Sequence, residues 1–423
     1  VRDETIAIHG SYQADGTRAV AVPIYQTVAH DFIDADHAAA VFDLEMPGFH
    51  YNRINNPTVD VLEKRMAALE GGVGALALAS GMAAVRYAVR NITTSGSSVV
   101  AAPQLYGATY TLFAHVLPEE GVDVRFAADD RPESLEGLID DTTAAVFCES
   151  IGNPAGNVVD LPALCEMAHR HGVPVIVDNT VATPLLLKPF EHGADIVVHS
   201  LTKFVGGHGT TLGGLIVDGG RFPWAEHASR FPMLCRPEPA FHDVVYARDF
   251  PDKAYIVRCR TIGMRNGGAT LSPFNAFLLL QGLETLAVRL ERQCANAEAV
   301  ARWLERDPRV AWVSWSGLED HPHHDLARRL CGDRYPSILT FGVVGGYDAG
   351  IRFFNEVKLF LRLVNLGDAK SLVSHPASTT HRQLTPQELI SAGVTPDMIR
   401  LSIGIEHIDD LLEDLDQALG AAS

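Results

Sequence analysis

The sequence has no apolar run approaching the ~20 residues that a membrane-spanning helix needs, no basic block, and no cysteine pair at Cys-x-x-Cys spacing. Each absence removes a class of function. No helical membrane span is expected, and Val1-Arg2-Asp3-Glu4-Thr5 offers no apolar signal-peptide core, so the cytoplasm is the default location. A formal net charge of −18 disfavours nucleic acid and anionic membrane as partners; any anionic ligand must be held by locally placed cations and amides. Cys148, Cys165, Cys235, Cys259, Cys294 and Cys331 lie far apart, which predicts free thiols rather than a zinc site or a disulfide framework. The His321, His323 and His324 cluster lacks a partner cysteine or paired carboxylates and makes a poor metal set. Nucleotide loops are missing as well, for there is no Gly-x-x-x-x-Gly-Lys, and no Gly-x-Gly-x-x-Gly opens a helix after a strand.

What is present centres on the stretch from Asp178 to Lys203. Short β-branched runs, Val173 to Val177 and Ile196 to Val198, are bounded by Gly172 and Gly193 and predict buried parallel strands. Asp178 and Lys203 fall just past their carboxyl ends, where ligands of open α/β sheets collect. Ser200 and Thr202 add hydroxyls, and Gly206, Gly207 and Gly209 let backbone approach a ligand. An amine able to attack a carbonyl, hydroxyls suited to a phosphate and a carboxylate suited to a protonated pyridine together fit pyridoxal 5'-phosphate (PLP). A strand-end salt bridge is the plain alternative for an isolated Asp and Lys.

Other segments decide between them. Residues 1 to 58 read as an extended arm with a short helix around Asp36 to Val41, ending in Tyr51-Asn52-Arg53 and Asn56-Pro57-Thr58. Val59, Leu62, Met66 and Leu69 predict an amphipathic helix closed by Gly71 and Gly72. A strand at Ala75 to Ala79 then runs into Ser80-Gly81-Met82 and a helix, which aims free amides at an anion. Further strands are expected at Val99 to Ala101, Val122 to Phe126 and Ala145 to Cys148, with helices between them. Tyr106 follows the first of these and could stack on a flat heterocycle. Asn153, held extended by Pro154, follows the third, and Asp160 starts a helix that ends at Gly172. Five strand ends thereby present Ser80, Tyr106, Asn153, Asp178 and Ser200 with Lys203. A structural salt bridge does not account for that convergence.

The proline- and aromatic-rich stretch 222–251 is irregular and is a candidate cover for the site entrance. Ile262 to Leu290 and Thr285 to Leu304 read as helical, and a second, α+β domain follows, with a strand at Ile338 to Val343 and a capping box at Thr385-Pro386-Gln387-Glu388. Met398 to Ile405 alternates, placing Ile399, Leu401 and Ile403 on one face and Arg400 and Ser402 on the other; Arg400 could grip a carboxylate bidentately or form a structural ion pair. The loop Gly367 to Ser371 could supply a hydroxyl nearby.

Taken together these residues resemble the PLP-dependent cysteine and methionine metabolism family. The likeness runs from about residue 5 to the carboxyl end and is strongest from Asp178-Asn179-Thr180 through Ser200-Leu201-Thr202-Lys203. Tyr51 to Thr58, Ser80-Gly81-Met82, Leu105-Tyr106-Gly107, Ser374 to Ser378 and Arg400 to Glu406 support it. Within the family, Ala276 to Thr285, Asn365 to Ser371 and the length of the middle insertion are most similar to the O-acetylhomoserine sulfhydrylases.

The resemblance implies an α/β fold of PLP fold-type I (aspartate aminotransferase-like), with a mostly parallel sheet domain at 59–262, a smaller α+β domain at 263–423, and an arm at 1–58 that serves a neighbouring subunit. It implies that Lys203 carries PLP covalently, that Asp178 pairs with the ring nitrogen and that Tyr106 stacks on the ring. Gly81, Met82, Ser200 and Thr202 would hold the phosphate. Tyr51 and Arg53 would reach it from the adjacent chain, Tyr51 counting with Lys203, Tyr106 and Asp178 among the catalytic groups. Asn153, Ser371 and Arg400 would bind the substrate carboxylate. The implied reaction replaces the γ-acetoxy group of O-acetyl-L-homoserine with sulfide, in a homo-oligomer that is a tetramer built as a dimer of dimers. Cystathionine γ-synthase, O-succinylhomoserine sulfhydrylase and γ-lyase activities are the alternatives. Methionine γ-lyases typically carry a cysteine where Ala108 stands, which lowers the last.

Overall fold

The computed structural model describes residues 1–14, 16–154, 156–379 and 393–422. The expected capping box at Thr385 to Glu388 lies outside them.

Seven strands form the main sheet: β1 (Gly74–Leu78), β2 (Ser98–Ala101), β3 (Asp123–Phe126), β4 (Thr143–Glu149), β5 (Val175–Asp178), β6 (Ile196–Ser200) and β7 (Gly214–Asp218), in the order β1-β7-β6-β5-β4-β2-β3. The pairs β6–β5, β5–β4, β4–β2 and β2–β3 are parallel, whereas β7 runs antiparallel to both β1 and β6. Strand β7 is the element that the sequence reading passed over. It lies between the glycine loop and the irregular stretch, and its three apolar residues are too few to show a period. Its insertion carries β1, and with it Ser80, to the far side of β6. Gly214 makes the fit possible, because a Cβ there would lie 1.9 Å from the Ser80 carbonyl oxygen.

Both faces of the sheet are covered. One packs Leu62 and Met66 of the helix Pro57–Glu70, and Leu279 and Leu283 of the helix Pro273–Glu284, near Val177, Val197 and Leu215. The other buries Ile176, Ile196 and Ile216 with Phe222, Trp224, Phe231 and Tyr246. The stretch 222–251 is therefore sheet cover, and none of its residues lines the cavity described below. Its prolines break it into short turns such as Pro232–Cys235 and Tyr246–Asp249, while its aromatic side chains supply the apolar area that a longer helix would have given. The expected helix across Ile262 to Leu290 is also interrupted. Gly268, in the left-handed region at φ +79°, ends the turn before it, and Thr270 bridges to Leu78 before Ser272 caps the next helix.

A second sheet holds β8 (Val310–Ser314), β9 (Ile338–Val343), β10 (Leu361–Arg362), β11 (Leu372–Ser374) and β12 (Met398–Ser402), in the order β10-β11-β12-β9-β8. Ile399, Leu401 and Ile403 point into a core with Phe341, Phe353 and Leu415. The period-2 pattern leaves Arg400 on the opposite side, toward the main sheet.

Candidate active site

A cavity at the carboxyl ends of the parallel strands has about 190 Å³ of space and is walled by both sheets. Its lining includes Ser80, Gly81, Met82, Tyr106, Glu149, Asn153, Asp178, Thr180, Ser200, Thr202 and Lys203, with Val364 and Leu366 from the carboxyl-terminal part. Every one of the five strand ends singled out from sequence thus reaches one space. Tyr51 and Arg53 do not line it. Arg53 donates to the Arg265 carbonyl and lies over the Tyr51 ring, 5.3 Å from its centroid, while Tyr51 is 41% exposed.

At one end, Ser80 caps the helix Gly81–Arg90 by accepting from the Ala83 amide, which leaves the first turn of this ten-residue helix directed at the cavity. Gly81 passes so close to β6 that a Cβ on it would sit 2.7 Å from that of Ser200. Ser200 is itself pinned, its amide donating to Thr180 Oγ1 at 2.8 Å. Thr202 is braced against Gly213, accepting from its amide and donating to its carbonyl. Hydroxyls and helix amides form this end, and among the described residues no Lys or Arg lines it other than Lys203.

The middle holds two acids. Glu149 and Asp178 end adjacent parallel strands in direct register. Asp178 accepts from the Thr180 amide at 3.0 Å, and Glu149 accepts from the Tyr106 amide at 2.5 Å. Among the described residues neither makes an ion pair. Burial pushes both carboxyls up, and Asp178 pushes Glu149 further. Such a pair calls for a cation or a proton beside it.

The amine of Lys203 donates to Asn365 Oδ1 at 2.6 Å. Burial, followed by the charge of Arg400, pushes its pKa down to about 8. Roughly a tenth of such amines are neutral at pH 7, against well under a thousandth for an ordinary lysine. Arg400, 5% exposed, donates to Asn153 Oδ1 at 3.2 Å and to the Asn365 carbonyl at 2.9 Å. Its Nε is buried and has no partner. A buried cationic donor left open beside a cavity is the feature that an anionic ligand group would satisfy.

Ser371 is placed elsewhere. It is fully buried, its hydroxyl donating to Glu406 at 2.9 Å and accepting from the Gly404 amide at 2.8 Å, and it is absent from the cavity lining. The expectation that it meets a substrate carboxylate is corrected on geometry. Asn365 touches both Lys203 and Arg400, and like Ser371 neither Asn365 nor Arg400 is among the residues that line the cavity. Sequence reasoning passed over Asn365, Glu149 and Thr180. Glu149 directly follows an expected strand and Thr180 stands in the stretch of strongest likeness, whereas Asn365 reaches the site only through the packing of one sheet against the other.

The histidine cluster is used locally: His321 meets Ser314 Oγ at 3.2 Å, and His323 and His324 meet the carbonyls of Val158 and Ser316.

The description Cys/Met metabolism PLP-dependent enzyme matches residues 4–420. A homocysteine synthase of Schizosaccharomyces pombe is 48% identical over 421 residues, which cover 99% of this chain and 98% of that one. O-acetyl-L-homoserine sulfhydrylase 1 of Thermus thermophilus is 47% identical over 422 residues, with 99% and 100% coverage. The crystal structure of a putative O-acetylhomoserine (thiol)-lyase from Campylobacter jejuni, solved with N'-pyridoxyl-lysine-5'-monophosphate, superposes with a TM-score of 0.95 at 42% identity, covering 99% of this chain and 100% of that one.

Proposed function

Because the chain belongs to the Cys/Met metabolism PLP-dependent enzyme family, we propose that it replaces the γ-acetoxy group of O-acetyl-L-homoserine with sulfide, giving L-homocysteine and acetate. The observation that carries this reading is the single cavity in which a lowered-pKa lysine, two adjacent buried acids and an exposed tyrosine ring lie within reach of a buried arginine.

PLP fits the residues present. The acid pair needs a cation, which a protonated ring nitrogen supplies, and the turn at Ser80-Gly81-Met82 with Ser200 and Thr202 suits a phosphate. When bound, PLP acts as an electron sink for the α-carbon of an amino acid. Lys203 holds the cofactor through its Nζ and, once released, that amine takes the α-proton and returns protons along the substrate. Asp178 keeps the ring nitrogen protonated, and Tyr106 covers the ring. Arg400 and Asn153 grip the substrate carboxylate, and Asn365 orients both Lys203 and Arg400 from one position.

Among the described residues, the phosphate end has no cation of its own chain besides Lys203. Arg53 of a second copy supplies the further cation, with the Tyr51 hydroxyl beside it, which makes the arm 1–58 an intersubunit element and the active unit at least a dimer, assembled as a dimer of dimers in the cytoplasm. The arm exposes Val20, Ile24, Val28 and Ile33, apolar groups that a second copy would cover.

Purified protein loaded with PLP and given O-acetylhomoserine with sulfide is expected to form homocysteine as its main product, identified by mass spectrometry. O-succinylhomoserine should be a poorer substrate, and cysteine a poorer acceptor than sulfide. Oxobutyrate as the main product at saturating sulfide would instead make the protein a lyase.

A further inference from the structure

The acid that the chemistry above leaves without a task is Glu149, and its surroundings assign it one. Its carboxyl is 6% exposed at the end of β4, opposite Asp178. It accepts the backbone N–H of Tyr106 at 2.5 Å, and a backbone contact from Asn153 also favours its charged form. Those two residues sit on separate loops, one after β2 and one after β4. The Tyr106 ring is 47% exposed, so packing within the chain fixes it only in part. Its backbone is held at both ends: the carbonyl accepts from the Tyr110 amide in the helix that follows, and the N–H goes to Glu149. Asn153, for its part, reaches Arg400 through its side chain.

We infer that Glu149 is a positioning residue that ties the ring-covering loop at Tyr106 and the carboxylate-gripping loop at Asn153 to the strand end beside Asp178. One buried carboxyl thereby sets the height of the aromatic cover over the cofactor ring and the place of the group that orients Arg400. The buried acceptor has a second consequence. A Tyr106 N–H that loses it is left without its acceptor, so the loop would move to find a new partner.

This inference rests on PLP lying beneath Tyr106, and two substitutions separate it from a general packing defect. Glu149→Gln keeps a carbonyl oxygen of the same reach for the Tyr106 N–H and removes the charge. Glu149→Ala removes the acceptor altogether. Apoprotein of each variant is titrated with PLP, and the visible circular dichroism of the bound cofactor and the KM for O-acetylhomoserine are recorded. Glu149→Ala should bind PLP about ten- to a hundredfold more weakly, the range for leaving a buried donor without its acceptor. It should also show a reduced visible dichroic band and a raised KM. Glu149→Gln should restore all three to near wild-type values. An alanine variant that matches wild type overturns the inference, as does a glutamine variant impaired as much as the alanine one. If Glu149→Ala does not fold by far-ultraviolet dichroism, Glu149→Gln decides alone: retained affinity supports the clamp, and a tenfold loss rejects it. Wild-type protein that takes up no PLP at all would remove the cofactor reading and this inference with it.

Discussion

Arg53→Ala and Lys203→Ala proteins are each expected to lose nearly all activity, and to recover part of it when unfolded, mixed and refolded together. The Lys203 variant would lack the amine proposed to move protons, while the Arg53 variant would lack the cation proposed to complete a phosphate end that the described residues build from hydroxyls and amides. In a mixed dimer with shared sites, one site inherits both lesions and the other inherits neither. Random pairing makes about half of the dimers mixed, so about a quarter of all sites should be intact. Mixed dimers that form and stay inactive would place Arg53 in the service of its own chain.

The second large effect is expected at Arg400. Its guanidinium already donates to Asn153 and to the Asn365 carbonyl, and its remaining buried Nε has no partner. Lysine would keep the charge but not the planar fork, and one ammonium cannot replace donors that point in three directions. Arg400→Lys should lower kcat/KM by about a hundredfold, in keeping with the ~2–5 kcal/mol cost of breaking a buried charge-assisted contact. The change should lie mainly in KM. Steady-state kinetics with O-acetylhomoserine checks this; a KM within a few-fold of wild type would mean that Arg400 serves the fold and not the carboxylate.

Much of this site was legible in the chain because parallel strands make it so. A short β-branched run followed by a polar residue names a strand end, and β2, β4, β5 and β6 all deliver their next residues to the same edge. Lys203, Asp178, Tyr106 and Asn153 were found by that rule. Where it fails, the cause is long-range. Strand β7 reverses direction and separates β1 from β6, an event set by sheet pairing rather than by local pattern. Asn365 stood in a segment matched by likeness, but its place was hidden because it enters from a loop of the second sheet, 162 residues beyond the lysine it touches. Ser371 misled for the same reason: a hydroxyl in a loop near Arg400 was visible, but its capture by Glu406 was not. The aromatic stretch 222–251 read as a candidate cover for the site entrance since its prolines suggested irregularity, whereas Phe222, Trp224 and Phe231 pack against the sheet, 7%, 5% and 0% exposed.

The amine of Lys203, lowered to a pKa of about 8 within the cavity, is the group expected to hold the cofactor. The most direct measurement is to add PLP, reduce with borohydride, digest, and map the pyridoxyl-modified peptide by mass spectrometry. The label is expected on Lys203, in the peptide that contains Ser200-Leu201-Thr202-Lys203, and should be missing from that site in Lys203→Ala. A label carried by any other lysine of the native protein would contradict the account.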